Sequence, residues 1–292
     1  MKLIIDHETL LKRRIRAEKA SVKGADFLLK YVNQELDERL SVIERKFKTA
    51  IQLHGYTGDL ADRIRQRGQA DHFQLIDWYQ QNHDDATLVT SLEKFPDLSS
   101  KADLIVSPLS LHLTNDTPGM FMQINKALSP DGLFSGAVLG AGTLQELREC
   151  LLVAETELFG GASARVLPFA NIRDFGGLLQ RAGFTLPVID SEGLTVRYDS
   201  LFALMKDLRA MGMTNSLTDR SKKTTSRTLF KRANEIYLER FSDHDGRIRA
   251  SFNIIYLNGW KAHDSQQKPL KPGSAKQRLA DALNVDEIKV QK

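Results

Sequence analysis

Cysteine is nearly absent from this sequence, and long apolar runs are absent altogether. The single cysteine, Cys150, has no second thiol to pair with, which excludes an internal disulfide. No Cys and His residues stand at the spacing of a structural zinc site. No apolar run approaches the roughly 20 residues that a membrane-spanning helix requires. These absences predict a protein of a reducing compartment, located in the cytoplasm, with neither a bound metal nor a membrane span.

What the sequence does contain is ordinary for a globular protein. Of its 292 residues 41% are hydrophobic and 27% charged, which is enough apolar material for the core of one large or two average domains. The net charge is only +4, but positive charge concentrates in two stretches. Their basic residues are Lys12, Arg13, Arg14, Arg16 and Lys19 in the first, and Lys222, Lys223, Arg227, Lys231 and Arg232 in the second.

These basic stretches have two interpretations. Either could bind an acidic partner or nucleic acid, or both could be solvated faces of helices. Because no interleaved aromatic residues and no known nucleic-acid motif accompany them, we favour solvated faces and predict no nucleic-acid binding.

The order of apolar patterns in the first half predicts a parallel sheet covered by helices. An amphipathic helix pattern over 26–47 leads into short apolar runs that alternate with longer helical patterns. The predicted strands are 50–53, 73–76, 87–89, 104–106 and 133–139. Strands that alternate with helices in this way are typical of an α/β fold with helices on both faces of the sheet.

The second half departs from this alternation. The predicted elements there are a helix over 172–182, a strand over 184–189, helices over 201–211 and 221–241, and a last strand over 251–260. We expect the last strand to pair antiparallel with 184–189. Before these elements, Thr143 and Glu146 stand at the spacing of a capping box that would open another helix.

The domain organisation follows from these elements. We predict an N-terminal helical segment over 1–47 and a main domain over 48–268, with a helical insertion at about 198–245. The polar residues over 269–292 are predicted to form a mobile tail.

Three groups of motifs resemble the mitochondrial complex I assembly-factor methyltransferases and their bacterial relatives. The motifs are Ser110-Leu111-His112-Leu113-Thr114-Asn115-Asp116; Gly142-Thr143-Leu144, Glu146-Leu147-Arg148, Ala154-Glu155-Thr156-Glu157, Gly160-Gly161, Pro168-Phe169 and Arg181-Ala182-Gly183-Phe184; and Leu204-Met205-Lys206-Asp207-Leu208, Met211-Gly212 and Gly259-Trp260-Lys261. The resemblance covers nearly the whole chain. Because it begins almost at Met1, we expect a bacterial protein without a transit peptide.

The resemblance implies a class I methyltransferase fold, an α/β fold with a seven-stranded, mostly parallel sheet whose last two strands form an antiparallel pair. Family members act in assembling respiratory complex I, and one is implicated in hydroxylating an arginine of a complex I subunit. By this resemblance the expected partner is a protein, a subunit of respiratory complex I.

The resemblance also implies where S-adenosylmethionine would bind, and here the sequence departs from the family pattern. An acid and two glycines are expected where Gln52, His54 and Tyr56 stand, and of the three expected glycines only Gly58 is present. A ribose-binding acid after the second strand falls nearest Asp77. Either Gly55, Gly58 and Asp77 rebuild a working cofactor site in shifted register, or the pocket is vestigial or holds another ligand; we favour the second interpretation.

The substrate side of the resemblance falls on the segment after the fourth strand and the helix after the fifth. His112 is the candidate general base, and Arg148 is the candidate clamp for an anionic group. The alternatives are that His112 bonds to a neighbouring loop, and that Arg148 and Glu155 are surface charges. A solvated role is also expected for His54.

Three functional hypotheses remain open. The leading one is a methyltransferase-fold protein that acts on or binds another protein. The others are an active S-adenosylmethionine-dependent methyltransferase and a non-catalytic assembly module. The sequence contains no P-loop, no nucleophile elbow and no His-Glu-x-x-His motif, which excludes those enzyme classes.

Overall fold

The computed structural model describes residues 3–80 and 87–267, together with residues 274, 281, 283 and 285. Contacts divide the chain into two units, Met1–Ala262 and His263–Lys292. In the second unit the described part includes a turn in which Nδ1 of His263 and the hydroxyl oxygen of Ser265 lie 2.7 Å apart. Apart from those four single residues, the predicted mobile tail over 269–292 lies outside the described residues.

The first unit alternates helices and strands. Its helices are α1 (His7–Ala20), α2 (Phe27–Ser41), α3 (Asp59–Gln66), α4 (Thr117–Ala127), α5 (Gln145–Phe159), α6 (Ile172–Arg181), α7 (Leu201–Ala210) and α8 (Arg227–Phe241). Its strands are β1 (Phe47–Leu53), β2 (Ala70–Asp77), β3 (Leu88–Val89), β4 (Ala102–Pro108), β5 (Leu128–Leu139), β6 (Phe184–Tyr198) and β7 (Ile248–Lys261). Among the described residues, no helix is long and apolar enough to cross a membrane.

All seven strands form one sheet in the order β3-β2-β1-β4-β5-β7-β6. Strands β1 to β5 are parallel to one another, and β7 runs antiparallel to both β5 and β6. This arrangement confirms the predicted fold class, including the antiparallel pairing of the last strand. Helices α7 and α8 occupy the connection between β6 and β7.

Two apolar layers, one on each face of the sheet, hold the helices in place. Residues of α2, α5, α7 and α8 pack together with one set of strand side chains. Residues of α4 and α6 pack with the other set. Because successive side chains on a strand point to opposite faces, neighbours such as Leu133 and Phe134 belong to different layers.

Several local predictions are wrong. The helix predicted over 221–241 begins at Arg227, because Ser226 caps it, and the strand predicted over 184–189 continues to Tyr198 along β7. The helix predicted over 26–47 ends at Ser41, because Phe47 already pairs with Ala70 in the sheet. The capping box predicted at Thr143 and Glu146 does not form. The Thr143 hydroxyl bonds instead to the backbone of Asn253 in β7, and α5 begins without a side-chain cap.

The cap of α4 gives a test of the fold at one residue. The carboxylate of Asp116 accepts a hydrogen bond of 2.9 Å from the backbone N–H of Gly119. Asp116→Ala is expected to lower the free energy of unfolding by about 1 kcal/mol, because that N–H loses its acceptor. Asp116→Asn keeps a side-chain acceptor and should lower the free energy of unfolding by a few tenths of a kcal/mol at most. Urea titration measures both, and an equal loss in the two variants would contradict the capping role.

Candidate functional site

The carboxyl ends of β1, β2 and β4 meet at one edge of the sheet and form an open cleft. In open α/β sheets this is the edge at which ligands bind. The cleft has a volume of about 1050 Å³. The loop after β1, the end of β2 and the segment after β4 line one side of it, and α1 with the segment that joins α1 to α2 lines the other.

The loop after β1 is held from within by Gln52. Its side-chain carbonyl accepts from the backbone N–H of Ala61 at 3.0 Å, and its amide nitrogen donates to the carbonyl of Thr57. A Cβ added at Gly55 would lie 2.0 Å from that amide nitrogen. Gly55 is therefore required by the packing of Gln52 against the loop, and it does not line the cleft.

His54 keeps the backbone conformation of a glycine but turns its side chain into the core. Its φ is 53°, in the left-handed region. The side chain is fully buried, and burial lowers the pKa of the imidazole to about 3, so the ring is neutral. Neither ring nitrogen has a hydrogen-bond partner among the described residues. The expectation of a solvated His54 is therefore wrong.

Tyr56 also has a left-handed backbone, with φ of 58°, but its ring lines the cleft. The guanidinium of Arg14, from α1, lies 3.6 Å from the centre of that ring in a cation–π contact. Arg14 is fixed in turn by a hydrogen bond from Nη1 to the carbonyl of Met211. The ring and the guanidinium together form a stack that spans from the loop to α1.

Asp77 is the last residue of β2 and is 3% exposed. One carboxylate oxygen accepts from the backbone N–H of Tyr56 at 3.1 Å, and the other accepts from that of Trp78 at 2.8 Å. Asp77 and Gly58 both line the cleft. Of the three cofactor-binding residues predicted from sequence, the fold thus brings two to the cleft and leaves Gly55 outside it.

His112 lies in the short 3-10 turn after β4, at the inner end of the cleft. Its Nδ1 accepts from the backbone N–H of Leu139 at 3.3 Å, and its ring lies beside Phe169. Burial and the nearby Arg14 charge lower its pKa to about 3. The ring is therefore neutral, and its Nε2 is buried without a hydrogen-bond partner among the described residues.

Arg148, the other predicted catalytic residue, lies apart from His112. It is exposed on α5 and donates to the carbonyl of Leu167 at 2.8 Å. It lines neither the cleft nor the cavity beside it. Its guanidinium fixes the segment after α5 rather than facing the cleft.

Sequence reasoning missed the contribution of α1. The first basic stretch was interpreted as a solvated helix face, but only Lys12, Arg16 and Lys19 are exposed. Arg13 and Arg14 are half-buried and line two different cavities. The sequence contained one indication that these two arginines face the protein. Arg13 and Arg14 stand three and four residues after the apolar Leu10, which is buried on the same helix.

The described part of the chain contains no group of three or more His, Cys, Asp or Glu side chains placed to hold a metal ion. The charged and polar residues that line the cleft include Arg14, Asp77 and the neutral His112. These can form hydrogen bonds, ion pairs and aromatic stacking with a ligand.

Comparison with known proteins gives relatives over most of the chain. The chain is 35% identical over 271 residues to the mouse protein arginine-hydroxylase NDUFAF5, mitochondrial, covering 90% of this chain and 78% of the mouse protein. The Dictyostelium discoideum protein of that name is 44% identical over 197 residues, 66% of this chain and 45% of that protein. A malonyl-[acyl-carrier protein] O-methyltransferase of Laribacter hongkongensis is 30% identical over 188 residues, 64% of this chain and 61% of its own length. No family model matches the chain.

Solved structures agree on the fold. A putative methyltransferase from Bacillus halodurans superposes with a TM-score of 0.53 at 11% identity, covering 79% of this chain and 99% of that one. The YcgJ protein of Bacillus subtilis superposes with a TM-score of 0.52 at 12% identity, with the same coverage of both chains. At these identities the likeness shows the methyltransferase fold alone.

Proposed function

The chain belongs to the family of the arginine-hydroxylase NDUFAF5 proteins, and from that premise we propose that it acts on or binds another protein without using S-adenosylmethionine as a methyl donor. One observation carries this proposal. The ring of Tyr56, stacked under Arg14, occupies the side of the cleft where the family pattern has a glycine.

The residues present do not fit S-adenosylmethionine in the usual manner. A glycine-rich turn lets a cofactor approach the backbone, because no side chain stands between them. Here Tyr56 stands at the second glycine position, its ring stacks against Arg14, and its N–H is already donated to Asp77. Gln52, at the position of the expected acid, uses both ends of its amide to hold the loop.

A second function is favoured by a different observation. Asp77 ends β2 and faces a cleft of cofactor size, and a Cβ added at Gly58 would meet nothing closer than 3.7 Å. In an active S-adenosylmethionine-dependent methyltransferase, Asp77 would accept from the ribose hydroxyls, and Gly58 would allow close approach. His112 would then be the candidate base, through Nε2.

The partner and the location form part of the same proposal. By family resemblance the partner is a protein, a subunit of respiratory complex I. We place the chain in the cytoplasm, where its single buried thiol, Cys150, would stay reduced. The relatives' names place those proteins in mitochondria.

Calorimetric titration with S-adenosylmethionine and S-adenosylhomocysteine tests the proposal. We expect no binding heat from the folded protein at ligand concentrations up to the millimolar range, because the stack of Tyr56 and Arg14 fills the position that the cofactor needs. A micromolar Kd, about 8 kcal/mol of binding free energy, would overturn the proposal and favour the methyltransferase. In that event Asp77→Asn should weaken binding.

A further inference from the structure

A second cavity, of about 590 Å³, lies next to the cleft and is separate from the proposed protein-binding role. Its volume is within the range of small-molecule sites. Leu28, Leu139, Met211 and Met213 line both spaces and so form the wall between them. More than half of the remaining lining residues are apolar, and they include Leu147 and Leu151 of α5, Met205 and Leu208 of α7, Phe230 of α8 and Phe252 of β7.

The charged part of this cavity has one sign only. Its lining, as far as the structure describes it, contains no Asp or Glu and five basic residues. These are Arg13, Arg165, Arg209, Arg220 and Lys222. A cationic ligand, including an arginine side chain of a substrate protein, would meet like charges there without a carboxylate to receive it. The lining instead suits a ligand that carries an anionic group and an apolar chain.

Two of the partly buried guanidinium groups already have carboxylate partners. Arg165 pairs with Glu155 at 2.7 Å, and Arg220 pairs with Asp6 at 2.9 Å. These ion pairs hold the walls of the cavity and leave little charge for a ligand. Arg209 and Lys222 are exposed at the rim, where a salt bridge contributes little.

Arg13 differs from the other four. It is half-buried on α1, and its Nη1 is shielded from solvent without a hydrogen-bond partner among the described residues. A buried donor of a charged group that lacks a partner is destabilising, because it has lost its hydrogen bonds to water without gaining an acceptor. A ligand anion in the cavity would supply the acceptor that the protein does not.

We propose that this cavity binds a fatty-acid-like ligand, with its acyl chain among the apolar side chains of α5 and α7 and its carboxylate on Arg13. A single guanidinium with one unpartnered buried donor, Nη1 of Arg13, matches one singly charged head group, which favours a carboxylate over a doubly charged phosphate. The planar fork of arginine is suited to receive a carboxylate in a bidentate manner.

Binding of dodecanoate, kept below its micelle concentration, tests the proposal by calorimetry on the full chain. We expect measurable binding of the acid and at least about tenfold weaker binding of dodecanol, since a hydrogen bond to a charged group is lost. Dodecyl phosphate should bind no more tightly than the acid. Absence of dodecanoate binding, equal affinity for the alcohol, or tighter binding of the phosphate would each overturn the proposal.

Matched variants locate the head group. Arg13→Gln should weaken dodecanoate binding by about 10- to 100-fold, and Arg13→Lys should recover part of the loss. Arg16→Gln changes an exposed arginine on the same helix and should leave the affinity unchanged. Met205→Trp, which fills the cavity from α7, should abolish binding of acid and alcohol alike. Unchanged affinity in Arg13→Gln, with thermal melting showing that each variant is folded, would contradict the assignment. None of these outcomes depends on S-adenosylmethionine, so they are independent of the proposed function.

Discussion

Replacing Glu155 with alanine is expected to lower the free energy of unfolding by about 3 kcal/mol, measured by urea titration at pH 7. Glu155 lies on α5 and is 7% exposed. Its carboxylate accepts from Arg165 Nε at 3.0 Å and Nη2 at 2.7 Å. It also accepts from the backbone N–H and the hydroxyl of Ser163, at 2.9 and 2.7 Å. Removing it leaves a buried guanidinium and two donors without their acceptor.

The neighbouring Glu157 provides the control for this prediction. It lies on the same helix and pairs with Arg232, but both side chains are more than one third exposed. Glu157→Ala should therefore lower the free energy of unfolding much less than Glu155→Ala does, because solvent screens the pair and already hydrates both groups. Equal losses of unfolding free energy in the two variants would show that the burial of Glu155 does not determine how strongly its removal destabilises the protein.

The pH dependence follows from the same ion pair. Hydrogen bonds from Arg165 lower the pKa of Glu155 from 4.5 to about 2. A carboxyl whose pKa is depressed in the folded state contributes stability that is complete above its unfolded pKa and declines as the pH falls. The difference between wild type and Glu155→Gln should therefore shrink by about 1.4 kcal/mol per pH unit below pH 4.5. A difference that stays constant down to pH 3 would contradict this.

Glu155 also shows what the sequence could and could not predict. The order of helices and strands along the chain could be predicted, because period-two and helical apolar patterns depend only on neighbouring residues. The antiparallel pairing of β7 joins segments that are distant in sequence, and the family resemblance implied it. The burial of Glu155 could not. Its partner Arg165 lies beyond the end of α5, and an acid next to Thr156 and Glu157 has the appearance of a surface position. For the same reason the polar Thr143 and Glu146 were assigned to a cap, although β7 supplies their partners.

The candidate site, too, could be predicted from the sequence only in part. The missing glycines at His54 and Tyr56 could be identified from the sequence and predicted an altered cofactor loop. The group that stacks on the altered loop could not be identified, because Arg14 comes from α1, about 40 residues earlier in the chain. Likewise, Arg13 and Arg14 are adjacent in sequence but line different cavities. A helix turns by about 100° per residue, so adjacent side chains face different neighbours.

Tyr56→Gly is expected to change the cleft most, from no detectable binding of S-adenosylmethionine to a Kd in the micromolar range, a gain of at least about 100-fold. The substitution removes the ring that lines the cleft and leaves Arg14 without its cation–π partner. It also relieves the cost of a left-handed backbone at a non-glycine residue, about 1–2 kcal/mol. Asp77 and Gly58 remain in place to contact the ligand. Calorimetric titration of the folded variant measures the gain.

His54→Gly distinguishes the two effects of Tyr56→Gly, which are removal of the ring from the cleft and relief of the left-handed backbone. His54 has the same left-handed backbone, but its side chain is buried in the core and does not line the cleft. Glycine there relieves backbone strain without clearing the cleft, so no cofactor binding should appear. Tyr56→Phe keeps the ring and should also show none. If Tyr56→Gly fails to bind as well, groups other than the Tyr56 ring close the cleft, and the ring is not what prevents cofactor binding. If His54→Gly binds, backbone strain in the loop, rather than the ring, is what keeps the cofactor out.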